Sequence, residues 1–113
     1  MIAVRRPSDG ELCGHVREHT DEWQSLTVFG SALATHPTRH LAEEFVLGAG
    51  LPSLAERWWY RPDPTEEWQI VCIQEASAES VRLALGYYSM PGVPTITVTR
   101  QQLETGAELT LHP

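Results

Sequence analysis

The pentapeptide TDEWQ at residues 20–24 recurs in nearly the same form as TEEWQ at residues 65–69. Each copy leads into an apolar run typical of a strand, and then into a segment with helical spacing. Because a repeated order of sequence features indicates repeated structure, we predict two related strand–strand–helix units, at about residues 11–50 and 56–88, within a single domain over residues 1–113.

The pattern around the first copy predicts three strands and one helix. The predicted strands have a period-two or β-rich pattern and cover residues 2–5, 11–17 and 23–33. Within the third strand, Gly30 is the expected site of a bulge. The helix is expected to start near Pro37 and to stop near Gly50. Its predicted buried face consists of Leu41, Ala42, Phe45 and Ala49.

The pattern around the second copy predicts four more strands and a second helix. The strands cover residues 56–61, 68–74, 95–99 and 108–111. Ser77 is the expected N-cap of a helix over residues 78–88, because apolar residues recur there at helical spacing. Thr99 and Gln102 match a capping box that opens a short helical turn.

The order of these elements predicts an α+β protein. Strand, helix, strand, strand, helix, strand along the middle of the chain is the order of a ferredoxin-like βαββαβ core, here preceded by extra N-terminal strands. Such a fold places two helices on one face of an antiparallel sheet, where both can bury their apolar stripes. The fold by itself does not assign a function.

The composition narrows the classes of function. The 113 residues carry fifteen acidic and eight basic side chains, all eight being Arg, for a net charge of −7. A negative field opposes contact with phosphate backbones, so we expect no direct binding of nucleic acid unless the arginines cluster on one face. No apolar run approaches the ~18 residues that span a bilayer, and the N-terminus lacks the pattern of a secretory signal. We therefore expect a cytoplasmic protein without membrane contact.

Cys and His residues are the candidates for a metal site. Cys13 and His15 alternate along a predicted strand, and His36 and His40 bracket the start of the first helix. Zinc binds Cys and His in pairs of short spacing, but these spacings match no known zinc motif. We therefore predict no metal or other cofactor, and keep these four residues as weak candidates for zinc.

Catalytic machinery is not indicated by the sequence. The neighbouring carboxylates at residues 21–22, 43–44 and 66–67 diverge on a strand or a helix, so they are not arranged to share a proton. A glycine-rich phosphate loop and a nucleophile elbow are both missing. The sequence thus favours a protein that is not an enzyme.

Aromatic and arginine side chains around residues 57–61 indicate a binding surface. Trp, Tyr and Arg dominate the residues that contribute most to protein interfaces. We predict a partner-binding site made of these residues, the acidic pair that follows them and one aromatic residue of a later loop: Arg57, Trp59, Arg61, Glu66, Glu67 and Tyr87.

Three functions remain open at this stage. The favoured one is an acidic module that binds another protein with a basic surface, such as an inhibitor of a nucleic-acid-processing enzyme of the immunity or phage counter-defence type. The second is a homodimer that encloses a small ligand between Trp59, Tyr60, Tyr87 and His36, with or without enzyme activity. The third is a zinc-binding protein.

Overall fold

The computed structural model describes residues 1–86 and 92–113 as a mixed α+β protein. The chain forms two compact units, Met1–Leu54 and Ala55–Pro113. Each unit is built around one antiparallel sheet. Neither helix within the described ranges is long and apolar enough to cross a membrane.

The first unit is a four-stranded antiparallel sheet in the order β1-β2-β3-β4. Its strands are β1 (Ile2–Arg5), β2 (Leu12–His19), β3 (Glu22–Leu26) and β4 (Ala32–His36). The sheet is followed by α1 (Arg39–Ala49) and by a 3₁₀ turn, Pro52–Ala55. At the start of α1 the Thr38 hydroxyl accepts a hydrogen bond from the Leu41 amide at 3.2 Å, which caps the helix.

Helix α1 packs against the sheet through small and β-branched side chains. The buried cluster consists of Val4, Cys13, Val16, Ala42 and Val46. Val46 lies over Gly14, where β2 has a bulge opposite β1 and the glycine φ is +155°. A side chain at this position would occupy the space that α1 needs in order to contact the sheet.

The second unit is a five-stranded antiparallel sheet in the order β8-β7-β6-β5-β9. Its elements are β5 (Arg57–Arg61), β6 (Gln69–Ala76), β7 (Ser80–Leu85), β8 (Thr95–Thr99), α2 (Arg100–Thr105) and β9 (Glu108–Thr110). Alternate residues of each strand point to the same face of the sheet. One of the two faces is buried, and its most buried residues are Trp58, Tyr60, Val71, Val81, Leu83, Val98 and Leu109.

The predicted helix over residues 78–88 is wrong for the residues that the structure describes, because the chain forms strand β7 over Ser80–Leu85. Residues 87 and 88 of the prediction lie outside the described ranges. Val81 and Leu83 are fully buried while Arg82 between them is exposed, which is the alternation of a strand. Ser77 does accept hydrogen bonds from the amides of Glu79 and Ser80, as an N-cap would. Those bonds instead close the turn between β6 and β7.

The single strand predicted over residues 23–33 is also wrong. The chain turns back between β3 and β4, where the Thr27 amide donates to the Ser31 carbonyl at 2.9 Å and Gly30 has φ +89°. The glycine therefore supplies a turn conformation and not a bulge. In α1 the predicted buried face is confirmed at Ala42, whereas Leu41 and Phe45 are 44% and 38% exposed. Val46, which was not part of the prediction, is buried.

The coarse prediction of an α+β fold with antiparallel pairing is confirmed. The described residues contain two helices, but the second one is α2 and not the predicted helix over residues 78–88. The described residues form two sheets in place of the single predicted sheet, and the ferredoxin-like arrangement is not confirmed. Both pentapeptides lie at hairpins: residues 20–24 run from the β2–β3 turn into β3, and residues 65–69 lead into β6. The single domain over residues 1–113 stays a prediction.

Candidate functional site

Strand β5 carries three of the six predicted binding residues. It is an interior strand, paired with β6 on one side and β9 on the other. Trp58 and Tyr60 are buried on one face, with exposures of 0% and 9%. By alternation, Arg57, Trp59 and Arg61 share the opposite face, which is partly accessible to solvent.

Strand β6 extends this accessible face. Trp59 lies opposite Ile70, and the same register places Trp68 opposite Arg61. Both Ile70 and Trp68 are half-buried. Together these five residues form what we call the arginine–tryptophan surface: Arg57, Trp59, Arg61, Trp68 and Ile70.

Arg61 is held in place from three directions. Its guanidinium carbon lies 4.2 Å from the centroid of the Trp68 ring, a cation–π contact. Nη2 donates to both carboxylate oxygens of Glu108, at 3.0 and 3.1 Å, and Nη1 donates to the Pro64 carbonyl at 3.2 Å. The buried Nε has no hydrogen-bond partner in the described part of the chain. The Arg61–Trp68 pair is therefore ordered before any partner binds.

The connection between β5 and β6 displays the predicted acidic pair. Glu66 and Glu67 are both exposed there. The Asp63 carboxylate accepts hydrogen bonds from the Thr65 hydroxyl and from the Thr65 amide, the latter at 2.8 Å. These two bonds lower the pKa of Asp63 and fix the start of the turn that carries the pair.

The structure thus brings together five of the six predicted partner-binding residues on β5 and the connection that follows it. The sixth, Tyr87, lies outside the described residues. Sequence reasoning did not assign Trp68, although its place in the repeated pentapeptide was a usable signal. Glu108 was also missed, because it lies 47 residues from Arg61 and no local pattern links the two.

The weak zinc candidates do not converge. No group of three or more His, Cys, Asp or Glu side chains in the described ranges is placed to hold a metal ion. Cys13 Sγ is 3.5 Å from the Glu11 carbonyl, and His15 Nδ1 is 3.2 Å from the Thr27 carbonyl. His40 Nε2 lies 3.1 Å from the Glu44 carboxylate.

His36 makes a contact that resembles part of a catalytic pair. Its Nε2 is 3.0 Å from the hydroxyl of Ser25, and that hydroxyl donates to the Ala34 carbonyl at 3.3 Å. Ser25 has no exposed surface, so a substrate has no access to its oxygen. These two hydrogen bonds link β3 to β4.

Two of the residues suggested for a ligand pocket, Trp59 and Tyr60, are on opposite faces of their sheet. His36 belongs to the first unit, and Tyr87 lies outside the described residues. The second unit does have an open depression of about 270 Å³, which contains none of these residues. It is lined by Glu75, Ala76, Ser77, Ser80, Arg82 and Thr97.

Comparisons with models of known protein families, with curated proteins and with solved structures give no match for this chain.

Proposed function

We propose that this chain is a small acidic binding protein that docks on another protein through the arginine–tryptophan surface and the acidic pair beside it. The observation that carries the proposal is the stacked and ion-paired Arg61 beside the accessible Trp59. Rigid aromatic and arginine side chains contribute most per residue to protein interfaces. A side chain that is already ordered loses less conformational entropy when the partner binds.

The local charge favours a partner with a basic surface. Glu108 neutralises Arg61, whereas Glu66 and Glu67 stand exposed on the adjoining turn. The net charge of −7 acts in the same direction over a longer range. Complementary charge of this kind accelerates association and excludes partners of the wrong sign.

Most arginines of the chain are paired with an acidic side chain. Five of the eight are ion-paired with a carboxylate. These pairs are Arg6–Asp9, Arg39–Glu43, Arg61–Glu108, Arg82–Glu75 and Arg100–Glu104. Pairing cancels the charge that contact with phosphates requires, which supports a protein partner over nucleic acid.

An acidic protein with a rigid aromatic anchor suits the groove in which a nucleic-acid-processing enzyme holds its substrate. Such a groove is basic because it binds phosphates. Occupying it would block the substrate, so we propose an inhibitor or adaptor, of the kind used in immunity or phage counter-defence, acting in the cytoplasm.

The test is a quantitative pull-down from a lysate of the organism that encodes the protein. The variant Glu66→Arg/Glu67→Arg reverses the charge of the acidic pair and is expected to lose the partner that the wild type captures. The matched control is Asp21→Arg/Glu22→Arg, which makes the same change at exposed positions of the first pentapeptide. The control is expected to keep the partner. Equal capture by all three proteins would contradict the proposal, and so would equal loss in both variants.

A further inference from the structure

Strand β8 lies at an edge of the second sheet, and its hydrogen-bonding pattern defines which backbone groups face outward. The Leu85 amide donates to the Pro94 carbonyl, and the Arg100 amide donates to the Glu79 carbonyl. Hydrogen-bonded pairs alternate along an antiparallel ladder, so Ile96 and Val98 also bond towards β7. The amides and carbonyls of Thr95, Thr97 and Thr99 therefore point away from the sheet.

The outward amide of Thr99 is already hydrogen-bonded within a helix cap. Its amide donates to the Gln102 side chain at 2.8 Å, within the capping box that opens α2. Neither Thr95 nor Thr97 has an outward backbone hydrogen bond with any residue in the ranges that the structure describes. Two donors and two acceptors are thus available along the outer edge of β8.

The composition of β8 lacks the usual protection of an edge strand. All five of its residues, from Thr95 to Thr99, are β-branched, and none is charged or proline. Natural edges are protected by charges, prolines, bulges or very short strands. By comparison, β1 contains Arg5 and a register shift, and β9 has three residues including Glu108.

We propose that the outer edge of β8 pairs antiparallel with β8 of a second copy of this chain, around a twofold axis at Ile96. In this register Thr95 of each copy lies opposite Thr97 of the other. The two residues then exchange amide-to-carbonyl hydrogen bonds twice, which gives four bonds and uses every available edge group of both chains. The half-buried Ile96 faces its own counterpart in the non-hydrogen-bonded pair, where side chains approach most closely.

Pairing with a second copy is favoured over pairing with an unrelated peptide, because the side chains of β8 complement those of a second β8. Threonine lies opposite threonine and isoleucine opposite isoleucine, both favourable cross-strand pairs. With no charge on β8, the twofold axis brings no like charges together at the centre. A pairing of this size is a small interface, so the dimer is weak and depends on concentration. This edge is separate from the arginine–tryptophan surface and does not depend on the function proposed for that surface.

The first test measures self-association of the full chain by sedimentation equilibrium, from about 10 µM to about 1 mM, the range that weak interfaces require. Thr97→Pro removes the amide that points outward and leaves every hydrogen bond to β7 in place. Edge strands accept proline at such a position. It deletes two of the four bonds in the dimer, so we expect association to weaken about tenfold or more. Thr97→Val keeps the amide and is the matched control, with association within about twofold of the wild type.

The second test fixes the register and does not depend on proline being tolerated. Thr95→Glu/Thr97→Glu places like charges opposite each other and is expected to abolish association. Thr95→Lys/Thr97→Glu leaves the net charge unchanged, places opposite charges across the axis and is expected to associate at least as tightly as the wild type. A monomeric wild type at the highest concentration would overturn the proposal. Association that Thr97→Pro and the double Glu variant both leave intact, or that the Lys/Glu variant loses, would overturn it as well.

Discussion

Replacing Gly14 by alanine tests how the first unit holds its helix. A Cβ at this position would lie 2.3 Å from the Leu26 carbonyl oxygen and 2.9 Å from Cγ1 of Val46. The carbonyl is backbone of β3 and cannot rotate away as a side chain would. The φ of +155° is in addition one that an L-residue rarely adopts.

The magnitude of the effect follows from these two costs. Overpacking in a tight interior destabilises by about 1–3 kcal/mol. A non-glycine residue in a sparsely populated backbone region costs a further ~1–3 kcal/mol. We therefore expect Gly14→Ala to lower the free energy of unfolding by about 2–6 kcal/mol, a large part of the stability of a small unit.

Two other glycines of the same unit allow the cost of the steric clash to be measured separately from the cost of the backbone conformation. Gly50, which follows α1, has an ordinary φ of −58°, but a Cβ there would lie 2.3 Å from the Cys13 carbonyl oxygen. Gly50→Ala therefore carries the clash alone, about 1–3 kcal/mol. Gly48 lies within α1 with nothing inside 4 Å of its added Cβ, so Gly48→Ala is expected to stabilise by about 0.5–1 kcal/mol.

The assay is urea denaturation followed by far-UV circular dichroism at the helical minimum, with all three variants measured beside the wild type. The expected order of stability is Gly48→Ala, wild type, Gly50→Ala and then Gly14→Ala. A Gly14→Ala variant within about 1 kcal/mol of the wild type would refute the close packing of α1 on β2 and β3.

Three further predictions concern burial of single side chains. Trp58→Ala should destabilise by about 3–5 kcal/mol in urea, whereas Trp59→Ala on the accessible face should cost clearly less; equal costs would contradict the alternation of β5. Burial raises the pKa of the Tyr60 phenol, so its stabilising contribution is present below the unfolded pKa of about 10 and is lost as pH rises through the folded value. Tyr60→Phe should flatten the alkaline loss of stability, and an unchanged pH profile would exclude this origin. Cys72, which is half-buried, should react with a thiol reagent in the native protein faster than Cys13, which is 2% exposed; the reverse order would contradict their placement.

Local hydrogen-bonding signals in the sequence predicted local structure well. The strand over residues 2–5 matches β1, and the capping box of Thr99 and Gln102 is present at the start of α2. A cap and a turn both depend on neighbouring residues, so a single sequence contains the information that specifies them. The same locality explains the error at Ser77, whose hydroxyl accepts amide hydrogen bonds as predicted but in a hairpin turn.

Non-local pairing was the part that the sequence did not predict. Residues 81–85 fit both a helical and a strand period, and pairing with β6 and β8 decides for the strand. Strand β9 reaches β5 from the far end of the second unit and brings Glu108 to Arg61. The placement of Trp58 and Trp59 on opposite faces of β5 was nevertheless predictable, because alternation along a strand needs only the strand itself.

The exposure of the two cysteines also depends on non-local packing, which the sequence did not predict. In the sequence, the apolar run around Cys72 predicts a buried, unreactive thiol, and the nearby His15 makes Cys13 the thiol to test for reactivity. The structure reverses their order, since Cys13 lies in the packed cluster under α1 and Cys72 is half-buried. The two cysteines are not joined by a disulfide.

The most direct test of the proposed binding surface is a differential pull-down with Trp59→Ala beside the two charge-reversal variants. We expect one protein partner that is captured by the wild type and by Asp21→Arg/Glu22→Arg. The same partner should be lost with Trp59→Ala and with Glu66→Arg/Glu67→Arg, while both variants keep the circular dichroism spectrum of the wild type. Capture of that partner by the Trp59→Ala variant at the wild-type level would show that the arginine–tryptophan surface is not the binding site.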